Sequence, residues 1–204
     1  MATFYLVRHA EKEKAIGDVS ITSAGRWQAR KTACHFSRLP VSLIVTSPLR
    51  RAKETAEYIA RSAKSGLEVD HRLRERANWG DLPEQSFEEF VEMWERSTRD
   101  PDYMPPVGDS AKQAGERLAL VLSELAVKYG SGSSIVIVTH GGLITDFLVH
   151  AVSEDQLNLW HPSFIEAQSS LIPECSVTTL HYDRNACKIA AFASVGHLKP
   201  EDPI

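Results

Sequence analysis

The chain has 204 residues, 43% apolar and 25% charged, with a formal net charge of -4. That length buries a full core as one domain, or one domain with a small insertion, and the negative balance implies no sequence-independent nucleic-acid binding. No apolar run approaches the ~18 residues of a membrane span, and Met1–Tyr5 lacks the basic start and long apolar stretch of a signal peptide.

The first apolar run, Phe4–Val7, reads as a buried strand. It ends abruptly in Arg8-His9-Ala10-Glu11-Lys12. In open α/β sheets, ligands bind just beyond the carboxyl ends of strands. A guanidinium and an imidazole released there suit an anion with a nucleophile beside it. A polar loop follows from Glu11 to Ser20, and Thr22 is placed to cap a helix. Ala29, Ala33 and Phe36 give that helix one apolar face, ending before Pro40. Val41–Val45 is a second strand, running into Thr46-Ser47-Pro48-Leu49-Arg50-Arg51. Ser47 is a good N-cap and Pro48 suits the first helical position. Leu49, Ala52, Ala56, Ile59 and Ala60 mark the buried face to about Ala63. Arg51 then lies in the first turn of a helix, where free N–H groups and the dipole attract anions.

Leu67–Leu73 reads as a short third strand, followed by Arg74-Glu75-Arg76. From Ala77 to Asp109 the chain becomes acidic and aromatic, as an insertion over the top of a sheet would. Ser86 and Glu89 fit a capping box. Phe87, Phe90, Val91 and Trp94 share one helical face, which reads as the insertion's own small core. Ser110–Tyr129 has the i, i+3, i+4 spacing of a long helix in Leu118, Val121, Leu122 and Leu125. After a turn at Gly130–Ser133, the β-branched run Ile135–Val138 suits a central parallel strand. It ends in Thr139-His140-Gly141-Gly142, and a helix follows from Leu143 to about Val152. The last elements are strands at Ser176–Tyr182 and Lys188–Ser194, joined by a turn near Arg184-Asn185. A two-residue turn there sets Cys187 opposite Tyr182 and Cys175 opposite Ser194, so these cysteines do not pair. Three widely spaced cysteines without a CxxC fit free thiols in a reducing, cytoplasmic setting.

The pattern predicts an α/β fold: a three-layer α/β/α sandwich with a mainly parallel sheet and an antiparallel C-terminal strand pair. Residues 1–204 form one domain, with the insertion at about 77–109 lying over the edge where the strands end. Arg8, His9, Arg51 and His140 then converge at that edge. Two guanidiniums can hold phosphoryl oxygens bidentately. One neutral imidazole can attack phosphorus while the other offsets charge, so the site needs no metal or other cofactor. His140 and His150 are ten apart and no HExxH occurs, so no metal set stands out. No G-x-S-x-G elbow marks a serine hydrolase.

The sequence resembles the histidine phosphatase superfamily, also called phosphoglycerate-mutase-like, in its branch 1, from Phe4 to about Leu198. The likeness rests on Leu6-Val7-Arg8-His9, on Ile21-Thr22 with Gly25 and Gln28-Ala29, and on Ser47-Pro48-Leu49 with Arg51-Ala52 and Thr55-Ala56. It continues in Arg72-Leu73 with Glu75, Gly108-Asp109-Ser110 with Arg117, Val138 to Gly142, and Ser176-Val177-Thr178. The resemblance implies His9 as the nucleophile, with Arg8, Arg51 and His140 around the phosphate. It also implies Glu75 as the acid that protonates the leaving oxygen and then activates water. Lys12, Arg96 and Gly141 are possible substrate contacts. Mutases of the family carry Gly after the histidine, then a hydroxyl residue and an asparagine; here the residues are Ala10-Glu11-Lys12. They also carry two adjacent arginines where this chain has Glu95-Arg96. These departures favour a metal-independent phosphomonoesterase acting on a small phosphorylated molecule or a phosphoprotein. A mutase and a non-catalytic phospholigand-binding protein are the alternatives. Nothing in the sequence signals an oligomeric state.

Overall fold

The computed structural model describes residues 1–183 and 186–199. Its six strands are β1 (Ala2–Arg8), β2 (Leu43–Thr46), β3 (Leu67–Val69), β4 (Ser134–Thr139), β5 (Val177–Asp183) and β6 (Ala186–Ser194). They form one sheet in the order β3-β2-β4-β1-β5-β6. β3, β2, β4 and β1 run parallel, while β5 is antiparallel to β1 and β6 to β5. Helices α1 (Ser23–Phe36) and α2 (Arg50–Ala63) cover one face, and α4 (Ala111–Tyr129) and α5 (Gly141–Ala151) the other. Strand alternation divides the core accordingly. Ile135 and Ile137 of β4 pack with Leu118, Leu122 and Phe147, whereas Val136 and Val138 pack with Phe36, Ala56 and Ile59. The expected α/β/α sandwich is thus present.

The parallel register decides where the chemistry falls. Arg8 is level with Thr139, and Thr46 with Val138. The residues after these strands, His9, Ser47 and His140, therefore leave the sheet in one row. Short helices α6 (Glu154–Asn158) and α7 (Phe164–Ala167) and a 3-10 turn at Gln168–Ser170 lead back to β5. Helix α3 (Phe87–Arg99) lies within the 77–109 segment and carries the expected Ser86–Glu89 capping box.

Several local expectations change. The third strand stops at Val69, and His71–Leu73 is a 3-10 turn capped by Asp70. All three residues of β3 are exposed, so nothing apolar prolongs it. Helix α2 begins at Arg50, and Ser47 does not cap it. Asp18, from the loop after β1, accepts from the Arg50 N–H instead, at 2.7 Å. The register of the last strand pair also shifts. Tyr182 does face Cys187, but Ser194 pairs with Val177, because irregularities near Thr179 displace the pairing. Cys175 precedes β5 and donates its N–H to the Arg8 carbonyl at 3.0 Å. The turn expected at Arg184-Asn185 lies outside the described residues. Cys34, Cys175 and Cys187 are free thiols. Among the described residues, no helix is long and apolar enough to cross a membrane.

Candidate active site

Chain geometry fixes His9 before any side chain is considered. Its N–H donates to the Thr139 carbonyl at 2.9 Å. The next N–H, of Ala10, donates to Thr55 Oγ1 at 3.0 Å. The imidazole is buried, at 5% exposure. Its Nδ1 lies 2.7 Å from the Ala10 carbonyl, an acceptor only, so Nδ1 carries the proton. Nε2 is then the lone-pair nitrogen, and it accepts from Arg51 Nε at 3.1 Å. Burial first, and the Arg51 guanidinium second, hold this imidazole well below the usual histidine range. It is a neutral base near pH 7.

Arg51 is buried in the first turn of α2 and also donates to Asn78 Oδ1 at 3.2 Å. Arg8 ends β1. Its terminal nitrogens are occupied by the Ile172 carbonyl and by Glu174 at 2.5 Å, and its buried Nε has no partner. Arg8 is therefore braced by the segment before β5 rather than free to close both terminal nitrogens on a ligand. His140 is fully buried next to His9, with ring centroids 5.2 Å apart. Its Nε2 meets Ser47 Oγ at 2.8 Å, and its Nδ1 has no partner. Ser47, expected as a cap, is the histidine's anchor. Burial, then Arg51 and His9, keep His140 neutral as well.

Glu75 is held by two backbone donors: Arg76 N to Oε1 at 3.1 Å, and Gly142 N to Oε2 at 3.0 Å. Its loop is clamped from α4, where Arg117 donates to the carbonyls of Arg72 and Arg74 and pairs with Asp109. Gly108, at φ +104°, lets the chain cross the Arg76 carbonyl, where a Cβ would sit 2.2 Å from the oxygen. Gly142 is equally constrained. A Cβ there would lie 2.5 Å from Trp94 and 2.7 Å from Glu75 Oε1.

These groups share a cavity of about 310 Å³ lined by Arg8, His9, Arg51, Glu75, Lys12 and Gly141 together with the α3 face. Burial, then Arg51 and Arg8, lower the Lys12 ammonium pKa, so Lys12 belongs to the cationic end. Arg96 does not reach the cavity. Its guanidinium stacks on Tyr103, 4.1 Å from the ring centroid, on the exposed side of α3. The Phe87, Phe90, Val91 and Trp94 stripe also departs from expectation. It forms no closed core but the cavity wall, because only Ser97 of α3 is buried. Sequence reasoning missed Asn78, Gly142 and the Arg76–Asp146 pair at 2.5 Å, whose guanidinium lies against Trp94. The turn signal Gly108-Asp109 with Arg117 was visible, but its service to Glu75 was not.

One end of the cavity thus offers two guanidiniums, an ammonium, a directed imidazole lone pair and a carboxylate. That set can bind a dianion, attack it and move a proton. The profile of the histidine phosphatase superfamily (branch 1) matches residues 4–194. Phosphoglycerate mutase-like protein 4 of Arabidopsis thaliana is 32% identical, covering 97% of this chain and 87% of that one. The uncharacterized phosphatase PhoE of Bacillus subtilis is 27% identical, covering 97% of each. Bacillus stearothermophilus YhfR superposes with a TM-score of 0.75 at 24% identity, over 98% of this chain and 100% of that one. A phosphoserine phosphatase mutant of Entamoeba histolytica, in complex with phosphoserine, gives 0.74 at 21% identity with the same coverage. The chain belongs to the histidine phosphatase superfamily, branch 1.

Proposed function

We propose that the chain is a phosphomonoester hydrolase that works through a phosphohistidine on His9. The observation that carries this is the His9 imidazole, whose tautomer is set by the Ala10 carbonyl and whose Nε2 lone pair faces the cationic end of the cavity. A substrate phosphoryl oxygen takes over the Arg51 Nε–H, which frees that lone pair to attack phosphorus. Arg51 and Arg8 line the end of the cavity where the oxygens gain charge, and in this reading the unpartnered Arg8 Nε and His140 Nδ1 donate to them. As the P–O bond breaks, Glu75 in its protonated form delivers the proton to the leaving oxygen. The phosphoimidazolium keeps its Nδ1–H on the Ala10 carbonyl. Water then attacks phosphorus, Glu75 takes its proton, the P–N bond breaks and neutral His9 is restored.

The chain works in this reading as one domain, with the 77–109 segment as a cap beside the site. The named relatives include mutase-like proteins and phosphatases. Hydrolysis is favoured over mutase transfer because Arg96 is turned to Tyr103 and cannot hold a substrate carboxylate in the cavity. Turnover of p-nitrophenyl phosphate in EDTA, abolished in folded His9→Ala, is the expected result. Activity that requires a divalent ion, or an active His9→Ala protein, contradicts it.

A further inference from the structure

Beyond the phosphate end, the cavity changes character. Trp79, Phe87, Phe90, Val91 and Trp94 form one wall, and Ile172 stands among the remaining lining residues. Phe87 remains 51% exposed, and Phe90, Val91 and Trp94 are only half-buried. The wall is fixed rather than loose. The Ser86–Glu89 capping box sets the start of α3, and Trp79 and Phe87 meet edge to face at 5.1 Å. The Trp79 indole N–H is already donated to the Gln85 carbonyl at 3.1 Å, so the ring offers hydrocarbon only. Meanwhile Glu88, Glu89, Glu92 and Glu95 occupy the exposed side of the same helix.

The charges follow the same division. Among the described residues lining the cavity, the cations are Arg8, Lys12, Arg51 and Arg76. The first three belong to the phosphate end. Arg76 is spent on Asp146, on Thr98 Oγ1 and on the face of Trp94. Glu75 is the one carboxylate in that lining. Two polar residues of the lining are also engaged: the Thr145 hydroxyl with the Gly142 carbonyl, and the Gln168 amide with the Ile165 carbonyl. A second carboxylate or phosphate on the substrate would thus lose its water against aromatic rings and find no free cation, at high cost. A hydrocarbon group would instead cover rings that are otherwise wet.

We propose that this enzyme acts on monophosphate esters of neutral, apolar alcohols, aromatic or aliphatic, whose leaving group lies against the α3 wall. The proposal rests on the hydrolase reading above. The volume of about 310 Å³ sits near the lower end of the ~300–1,000 Å³ range of small-molecule sites, enough for one phosphoryl group and a compact hydrocarbon.

The test is kcat/KM for ethyl, butyl and hexyl phosphate in EDTA, with 3-phosphoglycerate and phosphoserine alongside. The acidity of these unbranched alcohols barely changes along the series, so the trend reports burial and not leaving-group chemistry. Each buried methylene is expected to raise kcat/KM about 4-fold, or about 250-fold from ethyl to hexyl. Both charged substrates should fall below butyl phosphate. Phe90→Ala and Val91→Ala should reduce the gain per methylene to less than about 2-fold. A flat or falling series with turnover intact, or a preference for 3-phosphoglycerate or phosphoserine, overturns the proposal and leaves the hydrolase reading standing. If no ester is hydrolysed, p-nitrophenyl phosphate included, the hydrolase reading fails and takes the proposal with it.

Discussion

Replacing Glu75 by glutamine separates its chemical role from its structural one. The carboxylate accepts two backbone N–H bonds, at 3.1 Å from Arg76 and 3.0 Å from Gly142. A glutamine has one oxygen, so its NH₂ must face one of these donors. Leaving a buried donor unpaired costs about 1–3 kcal/mol, which appears as lost stability and acts on every substrate alike. Loss of the proton donor acts differently. An alkoxide is a poor leaving group without a proton, whereas nitrophenolate departs unaided. General acid catalysis contributes ~10²–10⁴-fold, so the burst of alcohol from hexyl phosphate should slow at least about 10²-fold. The burst from p-nitrophenyl phosphate should change by less than about 10-fold, since only the local displacement affects it. Single-turnover quench is the required assay, because the later hydrolysis of phosphohistidine also uses Glu75 and is common to both substrates. Equal slowing of the two bursts refutes the assignment. The described residues lining the cavity include no other carboxylate, so the Lys12 ammonium would be the next proton donor to test.

Gly142→Ala should give the same leaving-group signature in milder form, because its Cβ displaces Trp94 or Glu75 while the carboxyl remains; unchanged alkyl and aryl bursts would mean that the close approach is unimportant. The two buried histidines predict a pH effect on stability. Their folded pKa values lie below the ordinary 6.5, so the unfolded chain binds more protons below that pH. Their neutral burial is without penalty above pH 6.5, and stability is lost as the pH falls through it. The pair should contribute a loss of about 2 kcal/mol between pH 6.5 and 5.5 in urea titrations. His35 and His197, also held low, add in the same direction. Constant or rising stability over that interval would contradict neutral burial. With 3-phosphoglycerate and a 2,3-bisphosphoglycerate primer, little or no 2-phosphoglycerate should form. Isomerisation much faster than hydrolysis would reverse the choice of reaction.

The sheet and the row of strand ends were legible because they rest on short-range signals. Ile135–Val138 is apolar on every residue, as a strand buried on both faces must be, and the helices alternate with strands. The strand ends then placed Arg8, His9 and His140 together without further information. Long-range partners were not legible. Ser47 reads locally as a cap, and only the tertiary structure shows it against His140, with Asp18 serving the helix instead. The α3 stripe illustrates a second limit. Periodicity shows that a face is apolar, not whether it meets a core or a cavity. Arg96 shows a third, since a neighbouring ring, Tyr103, can claim a cation that sequence position alone would give to a substrate.

Turnover in this reading passes through a covalent phosphohistidine at His9, and rapid acid-free quenching can trap it. A single turnover of p-nitrophenyl phosphate, followed by peptide mass spectrometry at alkaline pH, should find one phosphoryl group on the His9 peptide. It should be stable to base, labile to acid and attached at Nε2, because Nδ1 is bound to the Ala10 carbonyl. It should accumulate in Glu75→Gln, where its hydrolysis lacks a base. A nitrophenolate burst with no phosphate on the protein, or with phosphate on a residue other than His9, would contradict the account.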